Sequence, residues 1–258
     1  MPASYTHYLV AHEAYFRLSR ALQENLQPHL RLYYFGAQGA DFGFFYPVFN
    51  GSSPRNLGSI LHRRGGYAAS VVCKAFASRS TPILAYSLGF LTHYATDTVF
   101  HPFVYAHAGK SPLRHSRIEQ ALDCFLQRET AHAQYFQKPP APHEREELFQ
   151  LYGAIVAYLG LPPLKKTAFQ RAITLFHAHL PLSSLLFSSK RTDALCNAHN
   201  GAWSPPSDPQ TVRTDGGKEL FQEAVQTAVL LFEEFLSCMK NKTPLPRALF
   251  GKNYLSGL

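Results

Sequence analysis

The amino-acid sequence predicts an all-α protein organised as a single multi-helix domain. Two patterns predict it: apolar residues recur at helical spacing through most of the chain, and alternating β-branched runs bounded by two-residue turn signals are essentially absent. Composition adds a third observation, since 258 residues at 46% hydrophobic and 14% aromatic hold enough apolar mass for one large core. The same figures exclude a disordered or collagen-like chain.

From Tyr5 to Leu26 the residues Tyr8, Leu9, Ala11, Ala14, Tyr15, Leu18, Ala21 and Leu22 follow helical spacing, with Ser4 or Thr6 as the N-cap. Residues 35–53 contain four glycines and a proline, which forbid a long regular helix and leave an aromatic loop around Asp41. Helical patterns resume at about 54–62, 66–79, 82–101 with Pro82 in the first turn, 113–137, 143–160, 164–187 and 216–240. A Pro-rich segment from Trp203 to Pro209 separates the last two. Without an internal repeat or a low-complexity linker, residues 1–258 read as one domain. Its core helices fall at about 5–125, and helices at about 143–245 pack back onto them.

Lys and Arg number 25 against 17 Asp and Glu, a formal net charge of +8 that favours anionic partners. The longest basic runs are pairs such as Arg63-Arg64 and Lys165-Lys166, so the sequence shows no clear nucleic-acid tail while small phosphorylated ligands remain open. Cys73, Cys124, Cys196 and Cys238 lie too far apart for a zinc ribbon or a disulfide scaffold and read as buried thiols. The opening residues lack a basic stretch followed by an apolar one, and no run of about 18 apolar residues occurs, so the expectation is a cytoplasmic chain that does not span a membrane.

Chemistry concentrates among the 13 histidines. His93, Asp97 and His101 stand at i, i+4 and i+8 of one helix, so their side chains stack along a single face. On the next helix His115 and Glu119 form a second i, i+4 pair, with Asp123 one turn further on. His7 in the first helix, and Asp41 and His62 beside the aromatic loop, are placed to complete the cluster. A row of three ionisable groups facing the core of an otherwise apolar helix is expensive without a cation, and these eight imidazole and carboxylate ligands suffice for two or three zinc ions.

In this order, His7, Asp41, His62, His93-x3-Asp97, His101 and His115-x3-Glu119 in an all-α chain resemble the zinc-dependent phospholipase C family, whose wider fold group includes single-strand-specific nucleases. Three stretches carry the likeness: Ser4-Tyr-Thr-His-Tyr-Leu-Val-Ala, Leu88-Gly-Phe-Leu-Thr-His-Tyr-Ala-Thr-Asp and His115-Ser-Arg-Ile-Glu. The resemblance implies that Asp41, His62, His93 and Asp97 surround one zinc, that His101, His115 and Glu119 hold a second, and that Asp97 bridges to a third bound by His7. It further implies a phosphodiester hydrolase in which Asp41 is the general base and a zinc-activated water makes an in-line attack on phosphorus. The implied partner is a phospholipid head group or another phosphodiester, with peripheral membrane contact. Secreted members complete the third ion with an N-terminal tryptophan, whereas this chain begins Met-Pro; its Asp97 to His101 gap is shorter and its Asp41 to His62 gap longer than theirs.

Two other readings fit the same residues: a single-strand nuclease-like phosphodiesterase, and a non-catalytic helical protein that keeps the cluster for stability. Phe42, Phe44, Phe45, Tyr46 and Phe49 serve either as a lip for acyl chains or as anchors in the core. Arg63 and Arg64 either clamp a phosphate or end a solvated helix, and Asp123 either supports His115 or is a surface charge. The histidines at 12, 29, 107, 132, 143, 177, 179 and 199 take surface or hydrogen-bonding roles, with His107 nearest the site.

Overall fold

The computed structural model describes residues 4–50, 53–64, 81–130, 139–187, 202–203, 212–213, 216–254 and 256. The chain is all-α, as the spacing predicts. Its helices are α1 (Ser4–Phe16), α2 (Arg20–Leu26), α3 (Leu30–Ala37), α4 (Leu57–Arg63), α5 (Thr81–Ala108), α6 (Pro112–Thr130), α7 (Pro142–Tyr158), α8 (Lys166–Phe187), α9 (Gly217–Asn241) and α10 (Arg247–Phe250). Single 3₁₀ turns lie at Gln27–His29 and Asp41–Phe45. Two antiparallel ribbons pair β1 (Pro47–Asn50) with β2 (Ser53–Asn56) and β3 (Ala202–Trp203) with β4 (Val212–Arg213).

Helix α5 is the axis of the fold. Every residue from Ala85 to Thr98 is buried, because α3 and α9 cover it along two sides while α1 and α6 close others. A helix surrounded in this way is largely apolar, and three of its threonine hydroxyls are satisfied within it: Thr92 donates to the Gly89 carbonyl, Thr96 to Thr92 and Thr98 to Tyr94. Close approach of α3 requires Gly36 and Gly89. A Cβ on Gly89 would overlap the Tyr33 carbonyl, and one on Gly36 would overlap the Tyr86 carbonyl, so the two helices meet backbone to backbone.

Several boundaries differ from expectation. The first helix breaks at residues 17–19, where the Ser19 side chain accepts from the Leu22 N–H and starts α2 afresh. Helix α5 continues seven residues past His101 and carries an exposed Pro102 in its interior. Residues 53–56 are strand, not helix; Asn56 then caps α4 by accepting from the Ser59 N–H at 2.7 Å. The helix expected over 66–79, and the 131–137 end of the one expected over 113–137, lie outside the described residues. At the other end of the chain, α9 closes on Lys242, whose left-handed φ of 55° turns its N–H and that of Thr243 back onto the last carbonyls.

Of the loop aromatics, Phe42, Phe45 and Tyr46 are core anchors, not a lip, while Phe44 packs on His62. Phe42 packs edge-on against Tyr152 and Phe169, Phe45 against Phe176, and the Tyr46 hydroxyl accepts from the Lys165 N–H. Cys238 is a buried free thiol, while Cys73 and Cys196 lie outside the described residues. His177 corrects its surface assignment. It stacks on Phe35 at 5.5 Å with both ring nitrogens buried and unpartnered, and burial, helped by Arg145, lowers its pKa to about 4.

Two stability measurements check this packing. Gly89→Ala should cost about 3 kcal/mol in urea unfolding, whereas Gly153→Ala in α7, where a Cβ meets nothing within 4 Å, should not destabilise. For His177 the folded pKa lies below its ordinary 6.5, so its contribution is complete above that pH and fades as pH falls toward 4. The wild type should lose about 2 kcal/mol from this group between pH 7.5 and 5; His177→Phe should abolish that component of the acid sensitivity.

Candidate metal centre

Three triads of ligand-type side chains lie in and around the fold axis: His7, His93 and Asp97; Asp41, His62 and His93; and His101, His115 and Glu119. Within each, the ligand atoms fall within 4.8 Å of one another. All eight residues singled out in the sequence are thus brought together, from α1, the 3₁₀ turn at Asp41, α4, α5 and α6.

Asp97 is the hub. Its Oδ1 faces His7 Nε2 at 3.4 Å, and its Oδ2 faces His62 Nε2 at 3.4 Å and His93 Nε2 at 3.3 Å. On one side of it, Asp41 Oδ1 lies 3.1 Å from His62 Nε2; on the other, Glu119 Oε1 lies 2.9 Å from His115 Nε2 and 3.4 Å from His101 Nε2. Two imidazoles have their tautomers fixed by main-chain carbonyls, which can only accept: His62 Nδ1–H donates to Gly58, and His101 Nδ1–H donates to Tyr254. Each Nε2 is therefore the nitrogen turned toward the carboxylates, and a main-chain carbonyl on the other nitrogen is the arrangement usual behind a metal-binding histidine. Gly39, at φ 51°, makes room for His93, whose ring a Cβ there would overlap.

Charge in the cluster is unbalanced. Burial raises the pKa of all three carboxylates, but the surrounding imidazoles outweigh it: Asp41 and Glu119 are lowered and Asp97 is held well below its ordinary value. Burial disfavours a charge on His62, yet Asp41 and Asp97 push it up to about 10. His93, fully buried, moves the other way, to about 4, chiefly through burial. It is a neutral imidazole with no hydrogen-bond partner on either nitrogen, and Asp97 Oδ2 likewise has none. Two buried carboxylates and a half-buried third, five imidazoles and orphaned donor atoms pointing at one another form a set that divalent cations complete, and oxygen and nitrogen donors of these types suit zinc.

Other candidates move. Asp123 neither supports His115 nor sits as a surface charge: it accepts from the Tyr5 and Thr6 N–H groups and from Thr6 Oγ1, capping the first turn of α1 from a different helix. Burial raises it to about 6 against those hydrogen bonds. It thereby fixes the turn that carries His7. His107 turns away from the triads, with Nδ1 on the Phe103 carbonyl and its ring on Phe103. Arg63 and Arg64 are exposed at the end of α4. Two contributors escaped the sequence: Tyr105, exposed beside His101 and His115, and Tyr254, buried against His62 and His93.

An all-α chain that gathers such triads from separate helices belongs to a class of helical proteins built around a metal-type centre. More narrowly, the zinc dependent phospholipase C family matches residues 6–159, from α1 through α7, and the chain belongs to this zinc-dependent hydrolase family. The matched stretch contains all eight residues of the triads. No curated protein and no solved structure matches the chain.

Asp123→Ala removes the acceptor for the first turn of α1 and should cost about 1–2 kcal/mol in chemical denaturation, with Asp123→Asn recovering part of it; equal stability of the alanine variant would contradict the capping role.

Proposed function

We propose that the protein is a zinc-dependent phosphodiester hydrolase of phospholipase C type, holding two or three zinc ions in the three triads. The observation that carries this reading is the fully buried, neutral and unpartnered His93 beside the ionised, bridging Asp97. Asp41, His62, His93 and Asp97 would hold one ion, His101, His115 and Glu119 a second, and His7 with Asp97 a third. When bound, zinc supplies Lewis acidity that lowers the pKa of a water and offsets charge on the phosphoryl oxygens.

The chain's own residues divide the remaining work along a gradient of exposure. His93 forms a dry floor with 0% side-chain exposure, whereas Asp41 at 15% and His115 at 19% lie toward solvent. Substrate enters from that side. Asp41 is the general base: its depressed pKa leaves the carboxylate ready to accept the proton of the attacking water at Oδ1, and His62, 3.1 Å away, orients it. Tyr105 lines the rim, where a phospholipid head group docks with the membrane surface beyond it; among the described residues no helix is long and apolar enough to cross a membrane.

Metal analysis of purified protein should return at least two zinc ions per chain. Phosphatidylcholine hydrolysis should vanish on chelation and return with added zinc, while cleavage of single-stranded DNA instead of lipid would favour the nuclease-like activity. His93→Ala and Asp97→Ala should lose zinc, activity and melting temperature together, and Asp41→Asn should slow turnover about 10²–10⁴-fold. Full zinc content in the His93 and Asp97 variants would overturn the assignment.

A further inference from the structure

Beyond the matched residues 6–159, the segment that follows α9 returns to the triads. After the left-handed turn at Lys242 it runs through Pro244 and Pro246 into α10 and ends buried: Phe250 and Tyr254 have 0% exposure. The Tyr94 hydroxyl, one residue from His93 on α5, anchors it by donating to the carbonyls of Leu249 at 3.0 Å and Lys252 at 3.1 Å. Thus held, Tyr254 places its ring edge-on to His62 at 5.5 Å and to His93 at 5.8 Å, and its carbonyl takes the His101 Nδ1–H at 2.9 Å.

That hydrogen bond settles which nitrogen of His101 carries the proton. Nδ1 is occupied by a carbonyl 153 residues away in sequence, so Nε2 is the nitrogen that faces Glu119, 3.4 Å distant, beside His115. Without the carbonyl, the ring is free to rotate or to take the other tautomer, and Asp97, 3.9 Å from Nδ1, competes for it. A fixed outer partner of this sort governs metal affinity at a ligating histidine.

We propose that the segment Arg247–Tyr254 is a constituent of the metal centre, in which Tyr254 acts as a positioning residue: its main-chain carbonyl orients His101 for the His101, His115 and Glu119 triad. The assignment rests on the reading of the triads as zinc sites. Two full-length variants outside the ligand set test it. Tyr94→Phe removes only the anchoring hydroxyl. Gly251→Val adds a side chain whose Cβ meets the Arg247 carbonyl at 2.5 Å and displaces the segment at its turn. Tyr15→Phe is the control, since it deletes a comparable hydrogen bond, to the Gln23 carbonyl, away from the centre.

Metal-stripped proteins, checked for folding by circular dichroism, are titrated with zinc against a chromophoric chelator. Tyr94→Phe and Gly251→Val should each weaken one zinc by about ten-fold, leave the remaining zinc unchanged, and differ from Tyr15→Phe, which should match the wild type. Wild-type affinity in both segment variants, or an equal loss in Tyr15→Phe, overturns the assignment alone. A wild-type chain that takes up no zinc overturns the zinc reading itself, and this assignment with it.

Discussion

The structure depends on one constraint: a helix buried on every side carries three ionisable residues, one per turn. Along α5 the hydroxyls of Thr92, Thr96 and Thr98 find acceptors within their own helix, but His93, Asp97 and His101 cannot. A buried carboxylate without compensation is among the costliest groups a core can hold. Five elements around this row answer that cost with a side chain or a carbonyl. α1 brings His7, the 3₁₀ turn Asp41, α4 His62, α6 His115 and Glu119, and the segment after α9 the carbonyl of Tyr254. The helical packing and the centre are therefore one design seen from two sides.

Small residues and caps set the distances. The backbone contact of α3 with α5 through Gly36 and Gly89 draws the chain leaving α3 down onto α5, so that Gly39 lies against His93 and Asp41 arrives within reach of His62. Asp123 performs the corresponding task for α1 by gripping its first two N–H groups, which aims His7 at Asp97. The aromatic residues of the loop then lock the position of Asp41 from behind by filling the space toward α7 and α8.

What could be read in the sequence was what depends on local periodicity. The i, i+4 rows of α5 and α6 are visible as soon as the helices are recognised, and they carry five of the eight triad residues. Boundaries were less legible because single residues do not fix them: Pro102 looks like a terminator, yet α5 runs on through it to Ala108, and Ser19 is an inconspicuous residue until the chain breaks there. Asp123 illustrates the harder case. Its spacing from Glu119 suggested a local partner, but its actual partners are N–H groups 117 and 118 residues away. Tyr254 has no motif at all; its role is a main-chain carbonyl, to which side-chain patterns are blind.

The depth of the centre also bears on how zinc occupancy, as proposed, relates to folding. A site at the mouth of a loop can lose its ion and leave the scaffold unchanged. Here the hub, Asp97, sits mid-helix in the core, and in the absence of a cation its charge is balanced by protons, with His62 pushed up to about 10 to serve as the counter-charge. Ligands must give up such protons to bind metal, so metal binding, proton release and core stability become one linked equilibrium. Selection for a stable fold and selection for a tight metal site would act on the same residues, which explains why so much of the structure around α5 is spent on orienting a few imidazoles.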